Sequence, residues 1–222
     1  MPELTDFLPG LGTLLVAVVL VWFALGTQLN VRKGERTMKW LQAGLPLLGP
    51  RTTFRWLGST VAELTIVQPR APLRSAVVMI VLEPRDLAAL WSLFRVRGRR
   101  DFLLLRCDLQ RAPRSRVDLI DPRAWTARDR RRDDAPFRTE DSWVDARGAP
   151  VQVRYDDAAD AGRLRPLWDR LTAATGGAWR VSVRPLVPHL EVHTLLPRPE
   201  AHDAHAVLTV VRELAEAVGA GR

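Results

Sequence analysis

All four histidines of the chain fall within one short stretch, where they could act as metal ligands. His189, Glu191 and His193 occupy alternate positions of a predicted strand, so their side chains should share one face of it. His205 follows at the start of a predicted helix. Imidazole and carboxylate groups that converge in this way can bind Zn²⁺. One hypothesis is therefore a membrane-anchored, metal-dependent enzyme that uses His189, Glu191, His193 and His205.

The competing interpretation of these histidines needs no metal. An antiparallel strand with one solvent-facing side carries polar residues at alternate positions whatever its function. The sequence has no pair of metal-binding cysteines and no HExxH motif. It also lacks a Walker-type phosphate loop, a GxSxG nucleophile elbow and a dinucleotide-binding glycine motif. We therefore expect no cofactor and a non-enzymatic role.

Arginine clusters concentrate positive charge in the middle of the chain. Residues 31–149 hold 24 basic and 14 acidic side chains. The clusters with a candidate binding role are Arg95, Arg97, Arg99 and Arg100, and Arg128, Arg130, Arg131 and Arg132. Their partner could be anionic lipid headgroups, an acidic protein surface or nucleic acid. A tether would favour lipid, since each basic residue near an anionic leaflet contributes about 1 kcal/mol. Nucleic acid is disfavoured because few aromatic residues lie among the arginines.

A simpler interpretation of the arginines also stands. Lys33 and Lys39 are the only lysines in the chain, so arginine supplies almost all of its positive charge. The clusters would then be ordinary solvated surface.

Residues 7–31 predict a transmembrane helix. They contain no charged side chain between Asp6 and Arg32, and their centre is almost continuously Leu, Val, Ala and Phe. About 20 apolar residues suffice to cross the hydrocarbon layer. A cleaved signal peptide is the alternative, with a small-residue site at residues 24–26, but its N-terminal region should be basic and here holds Glu3 and Asp6.

The flanking charges predict the orientation of this helix. Arg32, Lys33, Arg36 and Lys39 follow it closely. The positive-inside rule then places residues 1–6 outside and the C-terminal domain in the cytoplasm of a single-pass cell-membrane protein. Residues 32–50 are expected to form a juxtamembrane connector, with glycines and prolines that break any long helix, and residues 51–222 the cytoplasmic domain.

The hydrophobic pattern beyond residue 50 predicts an α+β fold, with a mixed, mainly antiparallel sheet and helices packed on it. Strands are expected at 52–56, 61–68, 76–82, 102–110, 117–120, 151–155, 179–184 and 189–196. Helices are expected from Pro84, within residues 158–175, and after Asp203. Cys107 should be a core residue of its strand, and residues 121–142 a charged loop.

Two stretches share the order strand, helix, strand, strand. They are residues 76–121 and 151–196, and both helices carry the pattern Leu-x-x-Leu-Trp. They could be two βαββ units in pseudo-twofold tandem, although Leu and Trp are common on any apolar helix face.

The function that the sequence favours is a membrane-tethered, non-enzymatic module that binds a protein partner or anionic lipid through its basic middle region. The metal-dependent enzyme and the nucleic-acid binder are the alternatives. The sequence does not indicate an oligomeric state.

Overall fold

A computed structural model of the chain describes the backbone of residues 4–125 and 136–219, and the side chains from residue 10 onward within these ranges. Its first element is a long helix, α1 (Leu4–Leu41). Within it, residues 10–41 form one helix that is long and apolar enough to cross a membrane, with a most apolar window of mean hydropathy 2.2. The predicted segment 7–31 lies inside this helix.

Helix α1 continues through the first ten residues that the sequence assigns to a connector. Gly34 does not interrupt the helix, because it packs against the indole of Trp56, where a Cβ atom would lie 2.4 Å from Cη2. Thr37 and Leu41 are buried on the same side of the helix. The helix ends only before Gly44 and Pro46, where a 3₁₀ turn (Leu45–Leu47) follows. Burial against the domain thus extends the helix past a residue of low helix propensity.

The described residues form nine strands in one antiparallel sheet, in the order β1-β2-β3-β4-β9-β8-β5-β7-β6. The strands are β1 (Thr52–Leu57), β2 (Val61–Ile66), β3 (Leu73–Val81), β4 (Phe102–Leu109), β5 (Val117–Ile120), β6 (Thr139–Val144), β7 (Pro150–Tyr155), β8 (Ala178–Val183) and β9 (Leu190–Leu195). The expected α+β fold with an N-terminal helix is therefore confirmed.

One face of the sheet forms the hydrophobic core with helices α3 (Ala158–Thr175) and α4 (Ala204–Gly219). Alternate residues of the central strands are fully buried there, because a period of two places them on one side. Asp157 caps α3 through a 2.8 Å bond from Ala159 N, and Asp203 accepts from the first backbone amides of α4. Pro166 lies inside α3 and does not delay its start. Cys107 lies in this core, as expected.

The opposite face of the sheet is polar at its centre. Arg106, Glu191, Ser182, Asp118 and Arg154 are successive cross-strand partners on β4, β9, β8, β5 and β7. Arg106 Nε lies 3.1 Å from Glu191 Oε2, so opposite charges face each other across the strands. These charges are satisfied within the sheet itself.

The strand order does not support the internal repeat. In the first unit β3 and β4 are direct neighbours, whereas in the second unit β5 lies between β7 and β8. If the strands of one unit are exchanged for the corresponding strands of the other, the observed strand order of the sheet is not recovered. The shared Leu-x-x-Leu-Trp pattern is therefore not accompanied by an equivalent arrangement of strands.

Two local predictions are corrected by the structure. Helix α2 (Ala88–Val96) begins four residues after Pro84, which lies in the preceding turn. Residues 139–142, expected within the charged loop, begin the edge strand β6, which pairs with β7. Residues 126–135 of that loop lie outside the described part of the chain.

Candidate functional site

Helix α1 first meets the domain beside the connection between β3 and β4. Trp22 Nε1 donates a 2.9 Å hydrogen bond to the carbonyl oxygen of Arg85. One turn further on, Gly26 packs directly on the same backbone, because a Cβ at this position would lie 2.3 Å from that oxygen. The β1–β2 turn adjoins this point through a 2.5 Å bond from Ser59 Oγ to Asp86 Oδ2. We call this end of the domain, residues 57–60 and 82–101, the proximal end.

A buried polar cluster fixes α1 to the proximal end. Asn30 is fully buried, donates to the carbonyl oxygen of Glu83 at 3.1 Å and accepts from the Arg85 guanidinium at 3.0 Å. Lys33 Nζ lies 2.6 Å from Asp101 Oδ2, and Arg85 binds both oxygens of the same carboxylate. We call Asn30, Lys33, Glu83, Arg85 and Asp101 the polar clamp.

The charges of the polar clamp neutralise one another. Burial by itself raises the pKa of Asp101, but the hydrogen bonds and positive charges of Arg85 and Lys33 outweigh it, so the pKa lies below its ordinary value of 3.8. The Glu83 carboxylate accepts from Trp91 Nε1 at 2.6 Å and from Arg95 at 3.2 Å. Carboxylates that are ionised and fully paired hold a structure together but are poor general bases.

Helix α2 contributes no residue to the fully buried core. Its apolar face consists of Leu87, Leu90, Trp91 and Phe94. Only Leu87 of this face is exposed, at 50%, and the other three are half-buried. Leu93 and Val96, outside this face, are 47% and 87% exposed. The Trp91 ring lies 6.4 Å from the ring of Trp22, so α2 lies next to the exposed apolar part of α1.

The arginines that follow α2 surround the same end of the domain. Arg95 lies 5.5 Å from the centre of the Trp91 ring, and Arg99 stacks on Phe94 at 4.9 Å. Arg100 donates to the carbonyl oxygens of Arg95 and Arg99, and Arg97 is exposed. The first predicted arginine cluster thus lies at the end of α2, and its Arg95 joins the polar clamp through Glu83. Arg128, Arg130, Arg131 and Arg132 lie outside the described residues.

The predicted metal ligands are only partly brought together. His193 Nε2 lies 2.7 Å from Glu191 Oε1 on the polar face of the sheet. His189 Nδ1 accepts a 2.9 Å bond from the backbone of Leu109, which occupies this nitrogen. His205 lies on α4, whose buried residues pack on the opposite, apolar face. Within the described ranges, no three His, Cys, Asp or Glu side chains are arranged to hold a metal ion.

Another cavity lies away from all these residues, at the N-terminal end of α3. It measures about 660 Å³, and Val117, Leu164 and Val183 form its apolar wall. Two of its carboxylates are already engaged, since Asp156 pairs with Arg116 at 2.7 Å and Asp160 with Ser115 and Arg163. The hydrogen bond from Arg116 in turn lowers the pKa of Asp156.

Sequence reasoning missed the polar clamp and the close contact at Gly26. Glu83 and Asp101 are 18 residues apart in the chain, and Asn30 is a further 53 residues before Glu83, so no local pattern joins them. The available signal was the chemistry of single residues. An Asn and a Gly within an otherwise apolar helix indicate a close, hydrogen-bonded contact with another element.

Comparison with known proteins adds no functional assignment. No model of a protein family matches the sequence, and no curated protein matches it at a significant level. The geometry of the proximal end must therefore carry the functional conclusion.

Proposed function

We propose that the chain is a single-pass, membrane-tethered, non-enzymatic module whose domain rests on the cytoplasmic surface of the cell membrane and binds anionic lipid through its proximal end. The observation that carries this proposal is the position of α2. The helix carries exposed apolar side chains, and its Trp91 lies beside Trp22, where the exposed apolar part of α1 meets the domain.

The length of α1 before the domain agrees with a membrane span. From residue 7 to Leu25, the helix measures about 28 Å at 1.5 Å per residue, close to the roughly 30 Å of the hydrocarbon layer. Trp22 and Trp91 then lie at the boundary between hydrocarbon and headgroups, where tryptophan is enriched. At this depth α2 lies in the interface, with Leu87, Leu93 and Val96 available to the acyl chains.

The charge around the proximal end supports both the lipid and the orientation. Arg97, Arg99 and Arg100 follow α2, while Arg32 and Lys33 follow the apolar part of α1. An anionic leaflet attracts each nearby basic residue by about 1 kcal/mol, and positive flanks stay on the cytoplasmic side. The arginines at 128, 130, 131 and 132 would add to the same attraction.

The contacts of α1 favour a retained anchor over a cleaved signal peptide. Cleavage after residue 26 would remove both Trp22 and Gly26 from their contacts with the Arg85 backbone. The helix also continues without interruption from the apolar segment into the polar clamp. A removable leader has no need of such contacts.

The proposal is tested by an environment-sensitive fluorophore on α2. Full-length protein carrying Leu93→Cys, or Ser142→Cys on β6 as the control, is labelled and placed in nanodiscs of phosphatidylcholine with or without phosphatidylglycerol. Both variants also carry Cys107→Ser. We expect the emission of the label at position 93 to shift to the blue in both lipids, more strongly in the anionic one. The label at position 142 should show the emission of a fluorophore in water in both kinds of nanodisc.

Two results would overturn the proposal. One is a water-like emission at position 93 in anionic nanodiscs, equal to that at position 142. The other is that replacing Arg97, Arg99 and Arg100 by Gln leaves the difference between the two lipids unchanged. The orientation is tested separately, since external protease on intact cells should leave a C-terminal epitope intact.

A further inference from the structure

Two cavities adjoin each other between α1 and the proximal end. The first, an apolar groove of about 290 Å³, is lined by Trp22, Leu25, Gly26, Leu29, Arg85 and Trp91. The second, a basic pocket of about 460 Å³, lies further along α1 and is closed by the segment between β9 and α4, residues 196–200. Leu29 and Arg85 line both cavities, so the groove and the pocket are direct neighbours.

The basic pocket carries an uncompensated positive charge. Its cationic lining residues are Arg32, Lys33, Arg36, Arg85 and Arg198, and its acidic lining residue is Glu200. Lys33 and Arg85 share the carboxylate of Asp101, and Arg36 pairs with Glu200. Arg32 and Arg198 have no ion-pair partner among the described residues. Both side chains are exposed, and guanidinium groups suit the bidentate binding of a phosphate.

Along α1, the groove and the pocket follow each other in the same order as the acyl chain and the headgroup of a phospholipid. The groove lies beside the last turns of the exposed apolar helix, and Arg32 comes six residues, or about 9 Å, after Gly26. The headgroup layer extends some 5–8 Å beyond the hydrocarbon on each side of a bilayer. The Arg32 backbone lies just beyond this layer, and its long side chain can reach back to the phosphate of a lipid whose acyl chain occupies the groove.

We propose that the groove and the pocket together form a site for one anionic phospholipid, with its phosphate between Arg32 and Arg198 and an acyl chain against Trp22, Leu29 and Trp91. This site rests on the proposed membrane location of the chain but not on the arginines that follow α2. Charge complementarity selects an anionic headgroup, and the continuity of the groove with the exposed part of α1 selects a ligand with a hydrocarbon chain.

The test is native mass spectrometry of the full-length protein in a neutral detergent. Phosphatidylglycerol, phosphatidylcholine or soluble glycerol phosphate is added in turn, and bound adducts are counted. We expect one tightly retained phosphatidylglycerol, with at least tenfold lower occupancy of phosphatidylcholine and of glycerol phosphate. The double variant Arg32→Gln/Arg198→Gln should lose at least tenfold in phosphatidylglycerol occupancy. The control Arg74→Gln/Arg111→Gln, which removes two exposed arginines elsewhere, should keep it.

Each other result of this experiment has a definite meaning. Unchanged phosphatidylglycerol occupancy in Arg32→Gln/Arg198→Gln overturns the site. Equal retention of glycerol phosphate and phosphatidylglycerol contradicts the lipid as ligand and shows a pocket that binds phosphate alone. Replacing Arg97, Arg99 and Arg100 by Gln should leave the single adduct intact while weakening the docking of α2, so the site and the proposed function fail independently. Equal unfolding temperatures of the two double variants exclude misfolding as the cause.

Discussion

Lys33 Nζ on α1 lies 2.6 Å from Asp101 Oδ2, in the residue that precedes β4. The Asp101 carboxylate is almost completely buried, and it also accepts from the Arg85 guanidinium and from the backbone N–H of Glu83. One carboxylate thus connects the candidate membrane helix to two segments of the sheet. Helix α1 and the domain are joined by buried, charge-assisted hydrogen bonds.

Replacing Asp101 by Asn should destabilise the whole protein. Asn keeps the shape of the side chain but leaves Arg85 and Lys33 without their counter-charge. Removing one partner of a buried pair costs about 3 kcal/mol or more in the free energy of unfolding. For a domain of this size we expect the Tm to fall by about 6–12 °C. Circular dichroism of the detergent-solubilised protein measures this, and Asp141→Asn, on the exposed edge strand β6, should leave the Tm unchanged.

The stability of the protein should fall in acid. Asp101 and Asp156 have pKa values below 3.8 in the folded state, because Arg85, Lys33 and Arg116 favour their ionised forms. As the pH falls, the carboxyls of the unfolded chain therefore take up protons at a higher pH than those of the folded protein. Well above pH 3.8 these two carboxylates make their full contribution to the free energy of unfolding. That contribution is lost as the pH falls through the lower folded-state values.

The pH dependence can be assigned to Asp101 by comparing two proteins. We expect the Tm of the wild type to be level above about pH 5 and to decrease steadily below pH 4. The Asp101→Asn variant, which has one fewer depressed carboxyl, should show a shallower decrease over the same range. Parallel curves for the two proteins would contradict the role of this carboxylate.

Two glycines of α1 should respond in opposite ways to the same substitution. A Cβ at Gly26 would lie 2.3 Å from the Arg85 carbonyl oxygen, whereas a Cβ at Gly12 would meet no atom within 4 Å. Gly26→Ala must push α1 away from the domain and should cost about 1–3 kcal/mol. Gly12→Ala should be neutral or stabilise the helix by up to about 1 kcal/mol.

The glycine comparison is measured by thermal unfolding and by limited proteolysis near Arg85. Gly26→Ala should lower the Tm and expose the backbone of residues 82–87 to trypsin, and Gly12→Ala should do neither. Equal effects of the two substitutions would contradict the packing of α1 described above.

Cys107 should be unreactive in the folded protein. Burial, with a smaller effect from the charge of Asp108, raises the pKa of its thiol to about 12. The nucleophilic thiolate is therefore nearly absent at pH 8, and the sulfur lies in the core. Iodoacetamide should label the protein only in denaturant, as followed by mass spectrometry. Rapid labelling under native conditions would show that β4 is accessible to solvent.

Much of the fold could be predicted from local patterns. Alternation identified the strands that contribute to the core, and the absence of charge identified the apolar part of α1. The strand β6 was missed because its residues are polar and nearly all exposed, as is usual for an edge strand. The order of the sheet, with β5 between β8 and β7, depends on pairings between distant segments and leaves no local trace.

The stripe on α2 shows a second limit of sequence reasoning. A period of 3.6 residues identified Leu87, Leu90, Trp91 and Phe94 as one face of a helix, but periodicity does not specify what covers that face. In the structure this face is only half-buried, and its Trp91 lies beside Trp22 of α1. At Gly34 the sequence predicted a connector, but α1 continues through this residue. The packing of Trp56 on this glycine overrides its weak helix propensity.

The unbroken passage of α1 from its apolar segment into the domain has a mechanical consequence. A domain on a flexible linker samples many orientations relative to its anchor and can bind partners from any side. Here, reorientation of α1 must turn the sheet with it, so the domain keeps one orientation relative to this helix. Whatever it meets must arrive by lateral diffusion or approach from one fixed direction.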